Sequence, residues 1–272
     1  MLATDLATFL LKNDTPSTST AESPEPPEGD MAEFHATVHA TVGGVAADVL
    51  AHPDSSAQPS TTQRVANQLR QLIIQGELPP GQKLKVDSLK SMLGTGASPI
   101  REALSLLTSD LLVERLDQRG FRVAPASVGH FKEILMLRCE LEGLALTASL
   151  KAGDAGWEES LVLAHYRLTR AAREDAHARE SFHRAFHLAL INACGSPILL
   201  RFCEQLYDLN IRYRNLAGRS VRYEERDIHR EHQEILDAAV ERDITGAVAS
   251  LEAHYRVTGE FLSEQFSDRP AV

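Results

Sequence analysis

Apolar positions begin to recur at helical spacing after Thr62. Val65, Leu69, Leu72 and Ile73 share one side of a 3.6-residue repeat, and Gly76 with Pro79 and Pro80 ends the segment. A second short helix is predicted from about Asp87, as its N-cap, to Leu93. The stretch GTGASPIREALSLL then supplies a tight turn and a third start, with Ser98 as N-cap and Pro99 at the first helical position. In LLVERLDQRGFRVA the pattern reads as two short strands, 112–116 and 121–124, around a turn at 117–120. Three short helices and a hairpin, in that order, predict a winged helix-turn-helix.

Beyond Ser127 the strand signal stops. Helices are expected at 128–151, 155–173, 179–193, 197–217, 222–242 and 245–265, punctuated by Gly153, Gly195 with Pro197, Gly218 and Asp243. The fold class is therefore mainly α. A winged helix-turn-helix over 59–126 precedes an all-α helical bundle over 127–267, in which Phe182 and Phe186 read as core. Residues 1–58 are different. They contain NDTPSTSTAESPEPPEGD and too little apolar surface to offset the entropy of ordering, so a disordered tail is expected, with at most a short helix near 6–11.

Charge sharpens this division. The net charge of −10 over 272 residues argues against a nucleic-acid binder until it is resolved along the chain. Residues 1–58 carry one Lys and nine acids, residues 59–126 carry nine basic residues and six acids, and the remainder carries 18 basic and 23 acidic residues. Only the winged segment is basic. Three cysteines, Cys139, Cys194 and Cys203, fit no disulfide framework and point to a reducing compartment. No apolar run approaches 18 residues and no secretory pattern opens the chain, so a cytoplasmic protein with no membrane partner is expected.

The segment from QLRQLIIQGELPPG through SPIREAL to the glycine-tipped DQRGFRV resembles the DNA-binding domain of the GntR family of bacterial transcription regulators. The resemblance implies operator DNA as partner, with Ser98 and Arg101 at the start of the recognition helix and Arg119 and Gly120 in the wing. Arg101 is the leading candidate for a DNA contact, whereas Glu102 reads as structural. One departure stands out: where the family has Ser-Arg, this chain has Gly96-Ala97. Lys85 and Lys90 are then candidates for part of the lost phosphate attraction.

A second chemistry lies in ESFHRAFHLAL. His183 and His187 are four apart, so on a helix they turn through about 400° and rise about 6 Å, leaving from one side. His232 and His254 each lie 11 residues from Asp243, a predicted N-cap between two antiparallel helices, which sets them level. Ordinary core histidines would look the same, and His165 and His229 read as surface histidine. The markers LRCELEGLAL, FHRAFHLALINACGSPILL and EHQEILDAAVERDITGAVASLEAHY are similar to the FCD effector domain of FadR-type regulators. That resemblance implies a divalent metal held by His187, His232 and His254, with His183 where the family usually has Asp. Nitrogen donors suit Zn or Ni.

The same resemblance implies a carboxylate-binding arginine at Arg138, for which the structural alternative is an i, i+4 ion pair with Glu142. Arg212, Tyr213 and Arg214 are further effector-binding candidates. The expected protein is a homodimeric, ligand-responsive repressor whose metal anchors a small carboxylate or dicarboxylate effector, and it is not an enzyme. HRAFHLALINACGS with LYDLNIRYR also resembles the branch controlling catabolism of small dicarboxylates such as glutarate, or of related amino acids. Two alternatives remain open at this point. They are a helical metalloenzyme using the histidines, and an architectural DNA-binding protein without effector.

Overall fold

The polar Ser60 side chain starts the first described element. Its hydroxyl accepts from Gln63 N at 3.1 Å and opens α1 (Thr61–Ile74), whose Val65, Leu69 and Ile73 are buried. The computed structural model describes residues 59–117, 119–171, 176–217 and 226–267. After α1 come β1 (Lys83–Leu84), α2 (Val86–Leu93), α3 (Ala97–Ser109), β2 (Val113–Leu116) and β3 (Gly120–Val123). The sheet is antiparallel in the order β1-β3-β2, with Val113 opposite Val123 and Leu84 opposite Phe121. The two-residue β1 was not foreseen, because so short a strand carries no alternation to read.

Gly94 ends α2 at φ +59°, a left-handed conformation that makes the sharp turn into α3 available without strain. Two expected caps are corrected. Lys85 and Gly96 occupy the N-cap positions of α2 and α3, without side-chain cap bonds, so Asp87 and Ser98 fall inside the first turns. The Ser98 hydroxyl bonds Glu102 at 3.2 Å instead. Glu102 also accepts from Thr62 of α1 at 2.8 Å, in keeping with its structural reading.

The bundle follows as α4 (Val128–Ala152), α5 (Ala155–Arg170), α6 (Ala176–Ile191), α7 (Pro197–Ala217), α8 (Ile228–Val240) and α9 (Ile244–Ser267). The 1–58 tail with its 6–11 helix, the end of the 155–173 helix and the start of the 222–242 helix lie outside the described residues. A cap from Asp154 to Trp157 N starts α5, and Asp243 caps α9 by accepting from Gly246 N at 3.0 Å. Phe186 is fully buried among Leu146, Leu161, Leu190 and Ile235, with Phe182 packed against them. His165 is buried rather than exposed, its ring 5.3 Å from that of Phe186, while His229 is exposed as expected.

From Pro59 onward the chain forms one compact unit. The winged-helix core of Leu69, Ile73, Leu104 and Leu107 continues into Phe131 and Ile134 of α4 and into Leu206, Leu209 and Ile211 of α7. The 126/127 boundary therefore crosses a shared apolar core. Among the described residues no helix is long and apolar enough to cross a membrane.

Candidate metal and effector site

Three helices converge on four imidazoles. α6 supplies His183 and His187, α8 supplies His232 and α9 supplies His254. One nitrogen from each lies within 4.8 Å of all the others. The level placement expected for His232 and His254 appears as ring centroids 4.7 Å apart, and the i, i+4 pair His183 and His187 as 4.5 Å. His187, His232 and His254 are buried at 1%, 2% and 6% exposure, so an ionised ring there would lose its hydration.

The neighbours fix which nitrogen faces the cluster. Tyr207 OH donates to Glu180 at 2.8 Å and lies 2.7 Å from His183 Nδ1, so its oxygen accepts from that nitrogen. Tyr255 OH donates to Glu142 and, by the same logic, accepts from His187 Nδ1 at 2.9 Å. His254 Nδ1 donates to Glu231 at 2.7 Å. Protons held on these three Nδ1 atoms leave the Nε2 lone pairs free, the tautomer a metal-binding histidine requires. His187 Nε2 and His232 Nε2 are buried and meet no protein partner.

Burial pushes His183 down to about 3, with the nearby His254, Arg138 and Arg226 adding to the effect. Burial and the neighbouring histidines hold His187 well below its ordinary range, and His232 is lowered in the same way. For His254 burial again dominates and lowers the value, against the bond to Glu231, which raises it. All four rings are neutral near pH 7. Neutral nitrogens gathered from three helices, two of them orphaned, fit a divalent ion such as Zn²⁺ or Ni²⁺, whose nitrogen ligands sit at about 2.0–2.1 Å for zinc.

Sequence reasoning missed the supporting residues. Glu231 directly precedes His232 and Tyr255 directly follows His254, yet each serves a histidine other than its neighbour in the chain, which only the packing reveals. Arg226 pairs with Glu231 and donates to the His254 carbonyl at 2.8 Å.

The arginine candidates separate. Arg138 is buried and bound to Glu142 through Nε at 2.6 Å and Nη2 at 3.3 Å, with its guanidinium 4.0 Å from the Tyr255 ring centroid. Burial would lower its pKa, but Glu142 and the two tyrosines prevail and raise it. The ion pair weighed from sequence is thus present, beside the cluster. Arg214 pairs with Glu180 and, with Arg138, His183, Asn210, His254, Tyr255 and Thr258, lines a cavity of about 10 Å³. Arg212 and Tyr213 lie elsewhere. Arg212 is fully buried and donates to Ala124 O, and Tyr213 OH accepts from Ser127 N at 3.1 Å, so both hold the segment joining wing to bundle. A helix turns 100° per residue, so three consecutive positions cannot all face one pocket.

On the winged helix, Ser98, Arg101, Lys85, Arg119 and Gly120 are exposed. Gly120 takes φ +90° at the base of the wing turn. The Arg101 side chain has no protein partner among the described residues, while Lys90 is engaged by Asp87 at 3.3 Å.

Comparison with known proteins decides the family. Residues 61–123 match the family described as bacterial regulatory proteins, gntR family, and residues 133–257 match the FCD domain. The HTH-type transcriptional regulator BphR of Paraburkholderia xenovorans (strain LB400) is 37% identical over 193 residues, covering 68% of this chain and 78% of that protein. The chain belongs to the GntR family. This regulator is also 33% identical over 195 residues to the HTH-type transcriptional repressor GlaR of Escherichia coli (strain K12), covering 68% of this chain and 88% of that protein. The E. coli McbR/YncC structure shares its fold with a TM-score of 0.67 at 24% identity, over 77% of this chain and all of that one. A GntR domain joined to an FCD domain makes this a bacterial transcriptional regulator, binding operator DNA through the first and a small-molecule effector through the second. It is not an enzyme. The metalloenzyme alternative falls on that ground, and the effector domain disfavours a purely architectural role.

Proposed function

We propose that this regulator is a homodimeric repressor whose FCD domain holds a divalent metal on His183, His187, His232 and His254, beside the binding place of a small carboxylate or dicarboxylate effector. The observation that carries the metal is the pair of buried, partnerless nitrogens, His187 Nε2 and His232 Nε2, in a cluster whose other imidazoles are held as Nε2 lone-pair tautomers. Left unmade, such bonds cost about 1–3 kcal/mol each. The charge balance supports an anionic ligand: Arg138 is offset by Glu142 and Arg226 by Glu231, so the histidines lie among neutralised pairs. A bound divalent ion would bring two positive charges that this surrounding does not offset. The cavity has room for about one water, so a carboxylate effector enters only as side chains such as Asn210 and Arg214 move aside.

The repressing sign is supported by the relative named a transcriptional repressor. Dimerisation is supported by the way helix-turn-helix proteins read two half-sites with paired recognition helices, and exposed apolar side chains such as Leu144 and Tyr166, each 59% exposed, offer surface for it. Elemental analysis of the native protein and of His187→Ala tests the metal. Stoichiometric zinc or nickel is expected in the first and not in the second, and equal content would remove the assignment. Effector class is read by thermal shift of the loaded protein with mono- and dicarboxylates, and stabilisation by neutral compounds alone would refute it.

A further inference from the structure

Helix α7 has two working faces. At 100° per residue, Tyr207, Asn210 and Arg214 fall within about 60° of one another around its axis, and Gln205, Asp208, Arg212 and Asn215 within about 80°. The centres of the two groups lie about 150° apart. The first face belongs to the histidine pocket. Tyr207 bonds His183 at 2.7 Å, and Asn210 and Arg214 line the small cavity. The second face belongs to the winged helix. Gln205 Nε2 donates to Ser109 O, the last carbonyl of α3, at 3.2 Å, and Asn215 Nδ2 donates to Ile74 O, the last carbonyl of α1, at 2.9 Å. Carbonyls at helix C-termini lack partners within their own helix, so these two amides cap two of the three DNA-domain helices from one side of α7.

Two further contacts complete that side. Arg212 holds Ala124 O in the segment leaving the wing. Asp208 is shared between Arg184 of α6 and Arg70 of α1, whose Nε stands 3.8 Å away, and Arg70 also pairs with Asp110 at the C-cap of α3. The rungs between α6 and α7 are consecutive in both helices: His183 to Tyr207, then Arg184 to Asp208. A cavity of about 170 Å³, lined by Arg70, Asp110, Arg184 and Asp208 among others, lies against this network and leaves those side chains space to reseat.

We propose that α7 carries the state of the pocket to the recognition helix. Any change that reseats Tyr207 or Asn210 displaces α7 as a rigid body, and its opposite face moves the C-terminal ends of α1 and α3 with it. The identity of what enters the pocket rests on the metal reading above; the coupling through α7 does not. It also differs from covalent continuity through α4, since besides Ala124 O in the linker it holds the C-terminal ends of α1 and α3.

Hydrogen exchange on the full chain tests it. The reporters are the amides of Gln75 and Gly76 at the end of α1 and of Asp110, Leu111 and Leu112 at the end of α3, all hydrogen-bonded in the native fold. Stoichiometric Zn²⁺ added to metal-free protein is expected to slow these amides by about threefold or more, and Tyr207→Phe to speed them by a similar factor. The Gln205→Ala/Asn215→Ala double variant should take up Zn²⁺ as the native protein does and lose both responses. Reporter amides that ignore both perturbations, or that still respond in the double variant, overturn the proposal. A protein that takes up no Zn²⁺ sinks the metal reading, and the Tyr207→Phe arm then decides the coupling alone. Should Tyr207→Phe lose its helical far-UV signal, Asn210→Ala takes its place with the same expected outcome.

Discussion

Acid should destabilise the metal-free protein well above the range in which carboxylates titrate. His187 and His232 are buried and His183 half-buried beside them, and desolvation lowers each from the ordinary value of 6.5, His183 to about 3, so all three are neutral. In the unfolded chain they return to about 6.5. The unfolded state therefore takes up protons first as pH falls. Stability is full above pH 6.5 and is lost progressively between there and the folded values. Between about pH 7.5 and pH 5.5 each such ring costs about 1.4 kcal/mol, or about 4 kcal/mol for the three. His130, His165 and His254, also lowered chiefly by burial, act in the same direction. Against a typical domain stability of about 5–15 kcal/mol this is a large fraction. Urea unfolding followed by far-UV circular dichroism, with chelator at both pH values, measures it. A loss below about 1 kcal/mol would show that the rings are solvated or already charged, and the buried cluster would be wrong.

Arg101→Ala should weaken operator binding by about 1–3 kcal/mol at fixed salt with an unchanged unfolding midpoint; unaltered affinity removes Arg101 from the interface. Glu231→Gln keeps the size of the side chain but removes the charge that holds His254 Nδ1–H, so metal affinity measured by chelator competition should fall about 10- to 100-fold. Affinity equal to native would mean that His254 needs no such support. Deleting residues 1–58 removes nine acids and one lysine, and should leave the thermal midpoint unchanged while tightening DNA binding at low salt. Identical affinities for full-length and shortened protein would show that the acidic segment does not compete with DNA.

The winged helix and the bundle were legible because each rests on a local signal, and the histidines were legible as two spaced pairs that the resemblance to the FCD domain joined into one set. Helical period fixes α1 and α3, the DQRG turn marks the wing, and Asp243 with two equal spacings sets His232 level with His254. What stayed hidden depends on pairs far apart in the chain. Tyr207 reaches His183 across 24 positions and Tyr255 reaches Glu142 across 113, and no periodicity announces either. The caps of α2 and α3 were misread for a different reason. Asp87 and Ser98 are strong N-cap types, but Lys85 and Gly96 already hold the extended conformation that precedes each helix, so backbone geometry prevailed over side-chain preference. Arg212 and Tyr213 were drawn into the pocket by sequence neighbourhood alone.

Arg138 shows why the distinction matters. From sequence it could bind a ligand carboxylate or pair with Glu142, and the second arrangement is the one present, with two bonds and 3% exposure on both residues. Removing one partner of such a buried pair strands the other charge, at a cost of about 3–5 kcal/mol. Loss of response in Arg138→Ala would therefore report on folding as much as on recognition. The pair also reaches into the metal cluster, because Glu142 accepts from Tyr255 OH, and that commitment is what lets the Tyr255 oxygen accept from His187 Nδ1. The Arg138 guanidinium thus helps to orient the Glu142 carboxylate and, through Tyr255, to keep His187 in its Nε2 lone-pair tautomer. An anion that approaches Arg138 must compete with a carboxylate already bound bidentately, and winning that competition would disturb the tautomer of a candidate metal ligand. Arginine, glutamate, tyrosine and histidine here form one electrostatic unit, and its members act on an incoming anion together.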